Sequence, residues 1–201
     1  MKKVIFGVLV SLFAINANAA LIKMYEADTY LHSIAGSRSV INGSGGADTS
    51  FDSGTIFFDD TGRYGAAAFP GGHDTTFVLT ATGYVDTSLY SALKFSHDDG
   101  FTASIAGSSI YTFDANTSLM NSGWIPFADT GLQSFDLLFW ENQGYATLLV
   151  YGQLRDTQIS EVAHIASVSG IAPAPGSVPA PSSFLLLGLA LIVYGTYRRI
   201  A

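Results

Sequence analysis

The chain has 201 residues, no cysteine, 9 basic and 16 acidic residues and a formal charge of -7. The lack of thiols excludes disulfides, zinc–thiolate sites and a cysteine nucleophile. Lys2, Lys3, Arg198 and Arg199 lie in the terminal segments, so the body sets five cations against all 16 acids. The resulting -11 repels phosphate backbones and excludes nucleic acid as a partner.

Met1-Lys2-Lys3 opens the chain with positive charge, and residues 4–15 are almost wholly apolar. Ala17-Asn18-Ala19 then supplies an Ala-x-Ala site. This predicts a secretory signal peptide over residues 1–19, cut after Ala19. The apolar run is too short for a membrane span.

The body, residues 20–166, reads as short strands between turns. Residues 21–25 alternate as a first strand, residues 30–36 are ambiguous, and residues 42–48 are a loop on composition. Residues 55–58 are apolar and β-rich, Asp59-Asp60-Thr61-Gly62 ends them as a turn, and residues 66–69 form the return strand. Residues 70–74 are another loop, and residues 75–82 alternate, with Phe77 and Leu79 on one face. A strand over residues 89–95 leads to His97-Asp98-Asp99-Gly100, and a hairpin over residues 101–113 turns at Ala106-Gly107. Residues 114–122 are polar, and Pro126 breaks the apolar run 124–127. Residues 135–141 read as a buried strand, Asn142-Gln143-Gly144 as a turn, and residues 145–151 as the partner strand. No helical period persists and no repeat is present. About ten such runs predict an all-β, antiparallel, jelly-roll-like β-sandwich.

Beyond the body, residues 167–181 are rich in Gly, Ala, Ser and Pro, with four of the 6 prolines at 173, 175, 179 and 181. This predicts an extended linker. Residues 182–197 carry no charge, and Arg198 and Arg199 follow. As a single hydrophobic helix the run is about 24 Å long, and the arginines place the C-terminus in the cytoplasm. Residues 178–201 thus have three parts: Val178-Pro179-Ala180-Pro181, an apolar helix and a basic end. They resemble the PEP-CTERM sorting signal, with Ala180 where that motif has Glu. The resemblance implies an exosortase-type processing enzyme as partner and export across the inner membrane of a Gram-negative bacterium. The C-terminal helix is in the membrane before processing. The protein then reaches the cell surface or an exopolysaccharide matrix.

Asp98 and Asp99 carry most of what the sequence says about chemistry. Adjacent residues of a strand point to opposite faces, so two neighbouring carboxylates share an ion only where the backbone turns sharply between them, as a cis peptide would allow. Calcium, with its 6–8 oxygen ligands, suits such a pair. The other reading is a solvated turn, since Asp-Gly is a common turn pair.

The strand into Asp98-Asp99-Gly100, the hairpin after it, and the later strand ending in Trp140-Glu141 before Gly144 resemble the protective-antigen-like β-sandwich. That family includes flocculin adhesins and the fibro-slime domain. The resemblance implies that Asp98 and Asp99 are joined by a cis peptide and hold calcium, which in turn ligates glycan hydroxyls. Asn116 is a further weak candidate ligand, as is Asn142.

Other polar residues are read as structural. His97 is expected at the rim of the pair. His32, His73 and His164 show no metal spacing and read as loop or surface residues. Asp136 and Glu141, five apart on one strand, face opposite sides and cannot act as a glycosidase pair. Trp124 and Trp140 are expected in the core. The function expected is a non-catalytic surface or extracellular-matrix protein that binds carbohydrate through calcium. The alternative is a purely structural surface protein. An envelope hydrolase is the weakest class, as no Ser-His-Asp or metal-ligand motif is present.

Overall fold

A computed structural model describes residues 19–70 and 75–166. Residues 1–18 of the signal peptide, His73, the linker, the sorting motif and the C-terminal apolar run lie outside these residues. Among the described residues no helix is long and apolar enough to cross a membrane.

Among the described residues, twelve strands and one helix follow in the order β1 (Ala20–Glu26), α1 (Ile34–Gly43), β2 (Thr49–Ser53), β3 (Phe57–Asp59), β4 (Thr76–Asp86), β5 (Tyr90–Asp98), β6 (Phe101–Ile105), β7 (Ser108–Phe113), β8 (Met120–Asn121), β9 (Ile125–Pro126), β10 (Leu132–Asn142), β11 (Thr147–Leu154) and β12 (Ser160–Val162). One antiparallel sheet has the order β2-β1-β4-β10-β6-β7, and the other β12-β11-β5-β8, with β3 on β11 and β9 on β5. This is the expected antiparallel β-sandwich. Ile22, Leu79, Phe135, Phe139 and Phe101 of the first sheet meet Leu93, Phe95, Leu148 and Val150 of the second in one core. Period-2 alternation puts those residues on one face.

The opposite face of the first sheet holds a second cluster: Tyr25, Val78, Leu138 and Trp140, covered by Leu31 and by Ile34, Val40 and Ile41 of α1. The start of β4 and the end of β10 are therefore buried on both faces, which is why residues 135–141 read as almost continuously apolar.

Several expectations are corrected. A helix is present: Ser33 caps α1 by accepting the Gly36 N–H at 3.1 Å. It spans ten residues, is rich in Ser and Gly, and shows only a weak apolar stripe, so its period was hard to see. It also takes Asn42 and Gly43 from the expected loop, and β2 was not foreseen. Residues 66–69 form no return strand; Ala67 makes a single parallel bridge to Phe58. β10 and β11 are not partners, since β10 pairs with β4 and β6 and β11 with β3, β5 and β12. Their strand lengths were legible, but two buried apolar strands carry no sign of which sheet each joins. The hairpin stands where it was placed, with Ala106 at φ 51° and Gly107 at φ 75° in its turn.

Candidate functional site

Asp98 ends β5 in one sheet, and Phe101 starts β6 in the other. Asp98-Asp99-Gly100 is therefore a crossing between sheets rather than a turn within one. Residues 142–147 make a second crossing in the reverse direction, from β10 to β11. The two lie side by side: Thr147 pairs with Asp98, and the Trp140 carbonyl accepts the Asp99 N–H at 3.3 Å. The loop after β3 joins them, because Thr147 pairs also with Asp59 and its hydroxyl donates to Asp59 Oδ1 at 3.0 Å. Asp59, Asp60, Asp98, Asp99 and Glu141 thus gather at one end of the sandwich.

The Asp98–Asp99 peptide bond is cis. Asp99 is buried, so the solvated-turn reading does not describe it. Its Oδ1 accepts the Thr117 N–H at 2.7 Å, and its Oδ2 accepts Asn142 Nδ2 at 3.1 Å. Burial first, then the charge of Asp99, pushes Asp98 up to about 6 against the lowering effect of the Leu119 amide. The segment 117–119, which reads only as polar in sequence, thus lays two amides on the acid pair. Asn116, just before it, spends its Oδ1 on the Trp140 indole N–H at 3.1 Å.

Glu141 faces inward behind the pair while Asp136 is exposed on the other face, as their spacing required. Burial above all, then the charges of Asp99 and Asp98, pushes Glu141 up to about 9, with Asp60 adding to the rise. No Lys or Arg is among the groups acting on Asp98 or Glu141. Buried oxygens Glu141 Oε2 and Asp60 Oδ2 have no hydrogen-bond partner. The Asp59-Asp60-Thr61-Gly62 turn is a turn, closed by Thr61, Arg63 and Tyr64 N–H groups on the Asp59 carboxylate.

His97 is not at a rim. It is buried, with Nδ1 2.6 Å from the Asp99 carbonyl and Nε2 3.1 Å from the Tyr111 hydroxyl. Burial holds its pKa below the ordinary histidine value. The hydrophobic wall around it (Phe101, Tyr111 and Phe113) comes from the hairpin, which local sequence could not place there. Trp140 is in the core, but Trp124 is exposed just before the edge strand β9, with Lys94 Nζ 5.1 Å from its ring. His32 and His164 are exposed, as expected.

Asn142 is the residue whose importance the sequence least revealed. Its Oδ1 accepts the Leu31 N–H at 2.6 Å and its Nδ2 donates to the Leu31 carbonyl at 2.8 Å, besides its bond to Asp99. One buried amide therefore ties the segment before α1 to the acid pair. Asn142→Ala leaves a buried N–H and a buried C=O unpaired, and is expected to cost about 2 kcal/mol. Denaturant unfolding checks this; a loss below about 0.5 kcal/mol, the range of an ordinary surface substitution, refutes it.

Among the described residues no three His, Cys, Asp or Glu side chains stand in metal-binding geometry. The side-chain donors are two adjacent carboxylates, with no Lys or Arg among the groups acting on Asp98 and two orphaned carboxylate oxygens behind them. This hard, anionic oxygen set fits calcium, whose other ligands can be backbone oxygens, amides or water.

No family model matches this chain, and no curated protein does. Solved structures do. The PA14 domain of the MpAFP antifreeze protein aligns at TM-score 0.60 and 19% identity, covering 75% of this chain and 90% of that one. This is the PA14 fold. The PA14 sugar-binding domain of an RTX adhesin aligns at TM-score 0.59 and 15% identity over 75% of this chain and 98% of that one. An anti-sigma factor domain-containing protein from Clostridium clariflavum aligns at TM-score 0.52 and 12% identity, over 82% of this chain and 50% of that one.

Proposed function

We propose that this PA14-fold domain is a non-catalytic surface module that binds glycans through calcium held at Asp98 and Asp99. The observation that carries the reading is a pair of adjacent carboxylates where three loops meet, with no Lys or Arg among the groups acting on Asp98. Charges so arranged call for a cation. An RTX adhesin domain of the same fold is a sugar-binding domain, which supports the ligand class. Bound calcium would supply open coordination positions for sugar hydroxyls. The chain's own part is to hold the carboxylates: Thr117 and Leu119 amides and Asn142 set their orientation. The proposal includes export through the signal peptide, and sorting through Val178-Pro179-Ala180-Pro181 by an exosortase-type enzyme. These rest on the two ends of the sequence.

A purely structural surface protein is the competing reading. Its support is that both Asp99 oxygens already accept hydrogen bonds. Calorimetric and thermal-melting titration with calcium separates the two. A saturable signal is expected, with a melting point that rises with calcium concentration and no response in Asp98→Asn/Asp99→Asn. At calcium 100 times Kd the stabilisation is about 2.7 kcal/mol. A folded wild-type protein that gives no signal overturns the calcium site and leaves the structural reading.

A further inference from the structure

Helix α1 covers only one end of the outer face of the first sheet. Tyr25, Val78 and Trp140 lie beneath it, with Leu138 at its margin. Two residues before Leu138, on the same face of β10, stands Asp136, and it is exposed. The pairing registers extend it into a row across four strands: Thr82 of β4, Asp136 of β10, Ser104 of β6 and Ser109 of β7. The next row holds Thr80, Leu138 and Thr102. Alternation turns these side chains outward, since their neighbours Ala81, Leu137 and Ala103 belong to the core between the sheets.

The two rows floor a cavity of about 330 Å³, and Arg38 of α1 is its wall. Ligand sites span about 300–1,000 Å³. Arg38 and Asp136 are the charged residues that line it, and both are exposed. Among the described residues neither has an ion-pair or hydrogen-bond partner, and the hydroxyls of Thr80, Thr82 and Ser104 have none either. The cavity shares no residue with the acid pair. That pair lies past Trp140, which at about 3.4 Å per residue is roughly 14 Å along β10 from Asp136.

A guanidinium fork offers donors only, a carboxylate accepts only, and the hydroxyls between them do both. Adjacent hydroxyls of a sugar ring match each of these: two can donate to one carboxylate, or two can accept from one guanidinium. The two charges cancel, and the acidic body disfavours a polyanion. No aromatic ring lines the cavity, so a single sugar gains little stacking there. The row repeats from strand to strand at about 4.8 Å, which suits a chain of sugars laid across the strands.

We propose that this face is a second, calcium-independent site for a neutral linear oligosaccharide. The chain crosses β4, β10, β6 and β7, held by Asp136 from the floor and Arg38 from the wall. The site does not rest on the calcium reading above.

The test is a saturation-transfer NMR titration in chelator with cellohexaose, laminarihexaose and mannohexaose, beside glucose and mannose. At least one hexasaccharide is expected to bind, more tightly than its own monosaccharide. Asp136→Ala and Arg38→Ala are each expected to weaken it about tenfold, the effect of losing one charged hydrogen-bonding group. Arg38→Lys recovers only part of the loss, because an ammonium lacks the planar fork. Melting points stay at the wild-type value in all three variants, since both side chains are exposed. Absence of hexasaccharide binding in chelator overturns the site. Binding that appears only when calcium is added also overturns it, and assigns the glycan to the acid pair. Equal affinity in wild type, Asp136→Ala and Arg38→Ala overturns the placement on this face. A monosaccharide that binds as tightly as its hexasaccharide overturns the chain laid across the strands.

Discussion

Gly100→Ala is expected to destabilise the domain by about 3 kcal/mol or more, since overpacking a tight site costs about 1–3 kcal/mol and this case is severe. A Cβ at this position would sit 1.9 Å from Trp140 Cζ2 and 2.0 Å from Cη2. The indole has nowhere to retreat. It is fully buried, its Nε1–H is bonded to Asn116, and its backbone N–H donates to the Gly100 carbonyl at 3.1 Å. Leu31 and the apolar face of α1 close the space above it. For a domain of this size the melting point should fall by roughly 6–12 °C. A variant melting within 2 °C of wild type, on the same scale, would show that the ring does not pack against the crossing. The conformation at Gly100 is not the issue, since its φ lies outside the left-handed region; the glycine is required by close approach alone.

Glu141→Gln is expected to stabilise the calcium-free protein, increasingly so as pH rises. Glu141 is pushed up to about 9 from the ordinary 4.5, mainly by burial and then by Asp99 and Asp98. A carboxyl raised in this way contributes stability that is complete below its unfolded pKa and is lost as pH climbs through the folded one. Between about pH 4.5 and 9, the folded protein holds a proton that the unfolded chain has released. Stability then falls by at most about 1.4 kcal/mol per pH unit. Glutamine titrates in neither state, so this slope disappears. Asp98, pushed up to about 6, slopes the same way, whereas His97, Asp59 and Asp86, held below their ordinary values, slope the opposite way. They are common to both proteins and cancel in the difference. Thermal melts in chelator should therefore nearly coincide near pH 4.5 and separate by several degrees at pH 8. A gap that narrows with rising pH would contradict the buried-acid account. A bound cation would offset the smaller part of the rise in Glu141 that comes from Asp99 and Asp98.

Much of this protein is legible in the chain itself. Alternation at residues 21–25, 75–82 and 101–113 is a local property, since successive side chains of a strand face opposite ways whatever lies beyond them. The Ala106-Gly107 turn followed from spacing, and the opposed faces of Asp136 and Glu141 from parity. The singling-out of Asp98 and Asp99 came from composition and from a family likeness.

What only the tertiary structure decided is which distant segments meet. Nothing local says that β10 and β11 belong to different sheets, because a strand buried on both faces is apolar throughout. Trp124 and Trp140 are the same residue type beside apolar neighbours, yet one is exposed at an edge and the other sealed beneath α1. His97 sits next to the acid pair in sequence but is enclosed by aromatic rings from the hairpin. Asn142 joins Leu31, 111 residues away, to Asp99. Contacts of that range are made by packing the two sheets and the helix together, and the periodicity of a single strand carries no record of them.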